Sequence, residues 1–493
     1  MTSSLLFLFC SVAAPWFGPN VRIDHQYLSK HVLIKPAIAV GPGAPSNQPL
    51  YVTFQDDSMP GGRCDIWLQK SLDGGRTWLP EDLLIRRGER YAFDPDITTD
   101  PDGNIYVVYT DENTPGDTAR YYQVVCVRSS DGGATWASPA RVDDSPNKKA
   151  INWVQIAADS AGNLFCAWVD WRTGSSHIWS SVSNDQGATW RQNVRVDDDT
   201  LIDECYHPDV FVQPGTNHYL VAATAFRRFV GIPYLRPCAF LYRSTDRGRT
   251  FQPGVQLDTF NWAAGSPHVV ADRNHIICDY FGKSRSARGR MLAEARTFFT
   301  QADTWSAPSP VTDLDTLHRL YYSGALVLSS DGGVHTALMV RDTALYHVYY
   351  TSSADHGVSW SDLERVDEDT TLSSGYPDIG ADSAGHAYVV WSHGDDGQFR
   401  IWFATNNPQA IAEQEQQPTG VRPSATVVRG VLFLAERPRS STSFLMDVSG
   451  RKVLDLRPGA NDVRALVPGV YFVQEPQASS PKPQAVLKVI ISD

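Results

Sequence analysis

The sequence predicts an all-β chain, a seven-bladed β-propeller of four-stranded blades followed by a small C-terminal β-sandwich. One eight-residue pattern returns five times at a spacing close to the length of a four-stranded sheet. Fourteen Trp, twenty Tyr and thirty-six Gly suit short strands and tight turns better than long helices. A strand missing from the last repeat is found at the other end of the chain. With 42% apolar and 20% charged residues among 493, there is material for a core and no apolar run long enough for a transmembrane helix.

The first element, residues 1–14, reads MTSSLLFLFCSVAA and has the apolar stretch and small residues of an export signal. An extracellular or bacterial cell-surface location follows as an expectation. Cleavage after Ala13 would remove Cys10 and leave six cysteines, at 64, 126, 166, 205, 238 and 278. None forms a C-x-x-C pair, so no zinc or redox site is expected; buried thiols or one or two disulfides both remain open.

The propeller is expected over 15–407. Ser71 to Trp78 reads S-x-D-x-G-x-[ST]-[WF], and the pattern recurs at Ser129 to Trp136, Ser183 to Trp190, Ser244 to Phe251 and Ser353 to Trp360. Its aspartates are Asp73, Asp131, Asp185, Asp246 and Asp355, with a worn copy at Gln301 to Trp305. An Arg follows the aromatic by five residues in Arg141, Arg195 and Arg365, each opening Arg-Val-Asp. Upstream, a D-x-x-G-[NH] turn separates two β-rich runs, as at Asp159 to Asn163. One unit is therefore four strands: a runs into that turn, b follows it, c leads into the box and d carries the Arg.

Six units are complete over 30–370, and a seventh lacks strand d. Phe17 to Asp24 has the aromatic five residues before Arg22, so the amino terminus supplies it. A ring closed from both ends leaves no long frayed edge. Six blades is the alternative if the first unit is irregular. Because strands alternate in direction, boxes and a–b turns share one face, and the b–c and d–a loops share the other, where an axial site belongs.

The boxes resemble the Asp-box repeats of sialidases and related propellers. Their local chemistry is structural: the Asp accepts from its own turn and Gly allows positive φ. For a sialidase, the resemblance implies three Arg on the substrate carboxylate, a Tyr nucleophile with a Glu beside it and an Asp acid/base. The one near match to the Arg-Ile-Pro motif expected ahead of the first box is Val21 to Asp24, which the blade repeat already explains.

At the ends of the b strands, Arg172, Arg227, Arg228, Lys283, Arg285 and Arg341 form a cationic arc over blades three to six. Asp56, Asp57, Asp111, Glu112, Asp395 and Asp396 lie on the others. The arc is read either as a convergent anion site or as local ion pairs and solvated charges. Glu204, Tyr206 and His207 offer a base, a hydroxyl and a proton carrier, with Tyr322 as an alternative nucleophile. Trp153 and Trp262, with Tyr321 and Tyr322, could stack on sugars or pack in the core. Asp197 to Asp199 and Asp100 to Gly103 match no calcium loop, and turn formation explains them. No metal or cofactor is expected.

Residues 408–422, rich in Gln, Pro and Ala, form a linker. In 423–493, strands are expected at Val427–Leu434, Ser443–Val448, Lys452–Leu456, Asp462–Leu466, Val470–Gln474 and Ala485–Ile491. Asp447 to Val453, Pro468 to Tyr471 and Lys488 to Ile491 resemble the sorting domain of the type IX secretion system, which implies that machinery as a partner. Ten basic against six acidic residues in 421–493 leave −16 of the net −12 on the rest, which disfavours nucleic acid. The functional expectation is a secreted or surface propeller that binds glycan or a surface protein on its loop face. The alternative is a glycoside hydrolase of exo-α-sialidase type.

Overall fold

The computed structural model describes residues 17–25, 33–59, 63–86, 91–112, 122–146, 152–197, 202–229, 235–258, 263–283, 291–312, 318–342, 344–395, 398–408 and 410. Beyond these it describes 426–428, 431–434, 443–447, 451–457, 459–464, 466–467, 469–474 and 487–491. The expected leader 1–14, Trp262, Arg285, Asp396 and nearly all of the linker lie outside the described residues.

Seven antiparallel sheets of four strands, the fifth with one extra short strand, form the blades of a propeller. The a strands are Leu33–Val40, Ala92–Thr99, Asn152–Ala158, Ile202–Val212, Ala263–Ala271, His318–Leu328 and Ser373–Ala381. The seventh sheet takes its d strand, Val21–Arg22, from the amino terminus, pairing Val21 with Phe403 and Arg22 with Trp402. Phe17 meets Tyr350 edge to face at 5.0 Å and is buried against blade six.

The boxes close by short hydrogen bonds. In blade one the Ser71 hydroxyl donates to Asp73 Oδ1 at 2.7 Å and accepts from the Gly75 N–H at 2.9 Å. Thr77 donates to Asp73 from its N–H at 2.9 Å and its hydroxyl at 2.6 Å. The same set recurs around Asp131, Asp185, Asp246 and Asp355.

The Arg-Val-Asp element has an equally local purpose. Strand d pairs over only two residues in most blades, and its Asp continues the ladder by accepting a strand c N–H. Asp143 takes Val124 at 2.9 Å, Asp197 takes Ile178 at 3.1 Å, Asp367 takes Val348 at 3.1 Å and Asp24 takes Ile401 at 2.9 Å. The Arg holds the carboxylate in place, as Arg22 does Asp24 at 2.7 Å. Between blades the cores are apolar; Phe165 and Val182, for example, pack on Tyr219 and Phe240. The six cysteines are free and buried, which resolves the open alternative in favour of thiols.

Gln417–Asp493 form a separate unit. Ser443–Asp447 lies between Lys452–Leu456 and Gly469–Gln474, the latter pairs with Leu487–Ile491, and Thr426–Val428 joins that strand in parallel. Two expectations are corrected. The run from Val427 divides, because Val431–Leu434 pairs in a second sheet with Gly459–Asp462. The strand at Asp462–Leu466 is instead a turn after that pairing: the Leu466 N–H returns to the Val463 carbonyl at 3.0 Å, while Val463 points into the core. No helix among the described residues is long and apolar enough to cross a membrane.

Candidate functional site

Each a strand slips register near its start, where a β-bulge interrupts pairing with strand b. In six blades the bulge holds a non-glycine residue in the left-handed region: Lys35, Asp94, Trp153, His207, Ser266 and Tyr376, with φ between 40° and 52°. Five of these are followed by Pro, which has no N–H for the interrupted ladder to leave unpaired. The bulges surround the axis and line a pocket of about 490 Å³.

Polar and aromatic groups meet at its rim. Lys35 forms an ion pair with Asp94, which also accepts from the Trp153 N–H at 3.1 Å. Burial pulls Lys35 down to about 8, partly opposed by the Asp57 carboxylate. His207 is pushed down to about 4, by burial first and then by Lys35 and His268, so it stays neutral at pH 7. Trp153 lies 4.7 Å from the His207 ring and 5.7 Å from Tyr206. Tyr376 is 52% exposed and stands open to solvent.

Deeper along the axis, two residues past the bulge, Asp96, Asp209 and Asp378 each accept an N–H from the next blade's a strand. The donors are Ile156, Val269 and Ile38, all at 2.7 Å. Burial pushes Asp209 and Asp378 up to about 6 and Asp96 well above the usual carboxylate range. Burial disfavours the charged form of His268, but Asp279, 2.9 Å from its Nδ1, together with Asp209 and Asp378, raises its pKa. These groups tie blade to blade around a polar axis.

The arrangement separates the expected site residues. Trp153 and His207 line the pocket. Beside them the Tyr206 hydroxyl donates to Glu204 Oε2 at 3.1 Å, and Tyr206 packs against Phe226. Tyr322 lies on the a strand of blade six, opposite Met339. The cationic arc does not converge. Arg172 is held by Asp170 and Asp144, both at 2.6 Å, and lies 4.1 Å over Trp179. Arg228 pairs with Asp203 at 2.5 Å, Arg227 donates to Gln256 at 3.3 Å, and Arg341 is exposed near Tyr346. Carboxylates and rings close to each strand end capture these side chains. Of the acidic group, Asp56, Asp111 and Glu112 are buried rather than displayed. Among the described residues no arginine lines the pocket.

Residues 50–274 match the family of the BNR repeat-like domain. No curated protein matches the chain. Among solved structures, the chain is similar to a protein of unknown function from Dyadobacter fermentans at 15% identity and a TM-score of 0.46, covering 78% of this chain and 97% of that one. An α-L-arabinanase of Penicillium chrysogenum in complex with arabinobiose has 15% identity, a TM-score of 0.47 and coverage of 79% and 98%. A Hadza microbial sialidase has 15% identity, a TM-score of 0.42 and coverage of 74% and 77%.

The sequence places an axial site on the face opposite the boxes, and the pocket with Trp153 and His207 in its lining opens among the a-strand bulges. Lys35, Asp94, Asp96, Asp209, Ser266, His268, Tyr376 and Asp378 were missed by sequence reasoning. A signal existed in the x-Pro pairs Lys35-Pro36, Asp94-Pro95, His207-Pro208, Ser266-Pro267 and Tyr376-Pro377, one near the start of each of five a strands.

Proposed function

We propose that the axial pocket is a carbohydrate-binding site. One observation carries this: a cavity of about 490 Å³ sets the rings of Trp153 and Tyr376 beside the Lys35–Asp94 pair, His207 and Ser266. Aromatic faces take the apolar side of a sugar ring, and fixed polar groups select its hydroxyls. The protein acts outside the cell or on a bacterial surface, a reading supported by the leader-like 1–14 and the sorting-like 423–493.

A second reading, glycoside hydrolysis, is favoured by the Tyr206–Glu204 hydrogen bond of 3.1 Å. A Tyr nucleophile needs a carboxylate within such reach to take its proton. The absence of arginine from the described pocket lining argues for a neutral sugar over a sialoside.

The test is calorimetric titration of the full chain with neutral and sialylated oligosaccharides, alongside turnover of fluorogenic glycosides. Binding that Trp153→Ala weakens at least about tenfold, equivalent to about 1.4 kcal/mol, supports the binding site. Turnover abolished by Tyr206→Phe, with binding retained, moves the assignment to hydrolysis. No binding and no turnover across the panel overturns both.

A further inference from the structure

On the box face, away from the bulges, the a–b turn of blade five meets the box loop of blade six. Asp272 Oδ2 lies 2.9 Å from His275 Nδ1 and 3.6 Å from His356 Nδ1. One ligand atom from each residue lies within 4.8 Å of the others. The two imidazoles stack with centroids 4.0 Å apart and planes 18° from parallel. His275 Nδ1 has its hydrogen bond to Asp272, whereas His356 Nδ1 is buried with no hydrogen-bond partner.

His356 has φ +58° at the place in the box that is Gly74 and Gly132 in blades one and two and Gln186 and Arg247, at φ 59° and 60°, in blades three and four, so it alone puts an imidazole at this position. A side chain is carried there at a backbone cost that glycine avoids. Its main chain is anchored, since the Thr297 hydroxyl of blade five donates to the His356 carbonyl at 2.5 Å. Both rings turn their Nδ1 atoms toward one carboxylate, and the His356 nitrogen reaches it at 3.6 Å without a hydrogen bond.

We propose that Asp272, His275 and His356 bind a divalent transition ion of the zinc, nickel or copper class, joining blade five to blade six. Two imidazole nitrogens and one carboxylate oxygen suit this class, whereas calcium and magnesium require oxygen ligands. Side-chain exposures of 20% to 32% leave one side of the cluster to solvent, so water completes the coordination shell.

The experiment uses untagged, chelator-stripped full chain titrated with zinc, nickel, copper and calcium by calorimetry, with thermal melts on the same samples. His356→Gly is the main variant, because glycine already serves in this position of other boxes; Asp272→Asn is the second. The expected result is one equivalent of bound zinc, a melting temperature that rises with zinc and no response to calcium. Each variant is expected to lose affinity by more than the about 10- to 100-fold that removal of an outer hydrogen-bond partner costs a metal site. Equal zinc affinity in the parent and both variants, or no zinc-dependent rise in the parent's melting temperature, overturns the proposal.

Discussion

Gly133 has φ +85°, and a Cβ added to it would come 2.5 Å from Leu68 Cδ2 on the neighbouring blade. The backbone conformation strains any side chain there, and a Cβ would force Leu68 to shift. Gly133→Ala is expected to lower stability by about 2–3 kcal/mol, measured by chemical denaturation with an unchanged denaturant slope. Nearby, Asp131 is held down at about 2 by the Thr135 hydroxyl and N–H. Its contribution is present above the ordinary carboxylate range and disappears as pH falls through about 2. Such residues were legible in the sequence because every partner of the box Asp lies within four positions of it, so the whole interaction set is written in one short string.

The a strands behave oppositely with pH. Burial holds Asp209 and Asp378 at about 6, above the value near 3.9 of an unfolded carboxylate. Between about 4 and about 6 the native state binds the extra proton, so these groups add stability as pH falls and remove it as pH rises. His207, held down at about 4, works against them over the same interval. Comparing melting temperatures isolates one carboxylate: the difference between Asp378→Asn and the parent should move in the variant's favour as pH rises from about 4 to about 7. A difference independent of pH would refute the assignment. This ring was legible only at Trp153 and His207; Lys35 and Tyr376 carry no residue-type signature of positive φ, and only the Pro that follows each of them marks the place. For Arg172 the second of the two readings is the one found: Asp170, two residues away, pairs with the guanidinium as the sequence position suggests, and Asp144 adds a partner from another part of the chain that position alone does not give.

The ring depends on a two-residue strand. Phe17→Ala, removing a side chain only 6% exposed, should cost about 3–5 kcal/mol and lower the melting temperature of the propeller. Retained stability would mean that Val21–Arg22 alone suffices for closure. The count of seven blades was legible because the aromatic-to-Arg spacing survives in the closing segment. In the carboxy-terminal unit no such repeat exists, and Asp462–Leu466 was misplaced because alternating apolar residues look the same in a strand and in a turn that buries Val463.

Closure by Val21–Arg22 against Phe403 and Trp402 also sets the order of assembly. With the Gly18 N–H to Thr405 carbonyl bond, these are the contacts of longest sequence separation among the described residues of the propeller, so their loop-closure entropy is best met after the six complete blades have formed. Until then Gln398–Thr405 presents unpaired N–H and C=O groups along one side, and the same two-residue segment from a second molecule can pair there at a rate that grows with protein concentration. The seam is therefore the place where folding competes with strand exchange between chains, and dilute refolding should favour monomer over swapped assemblies.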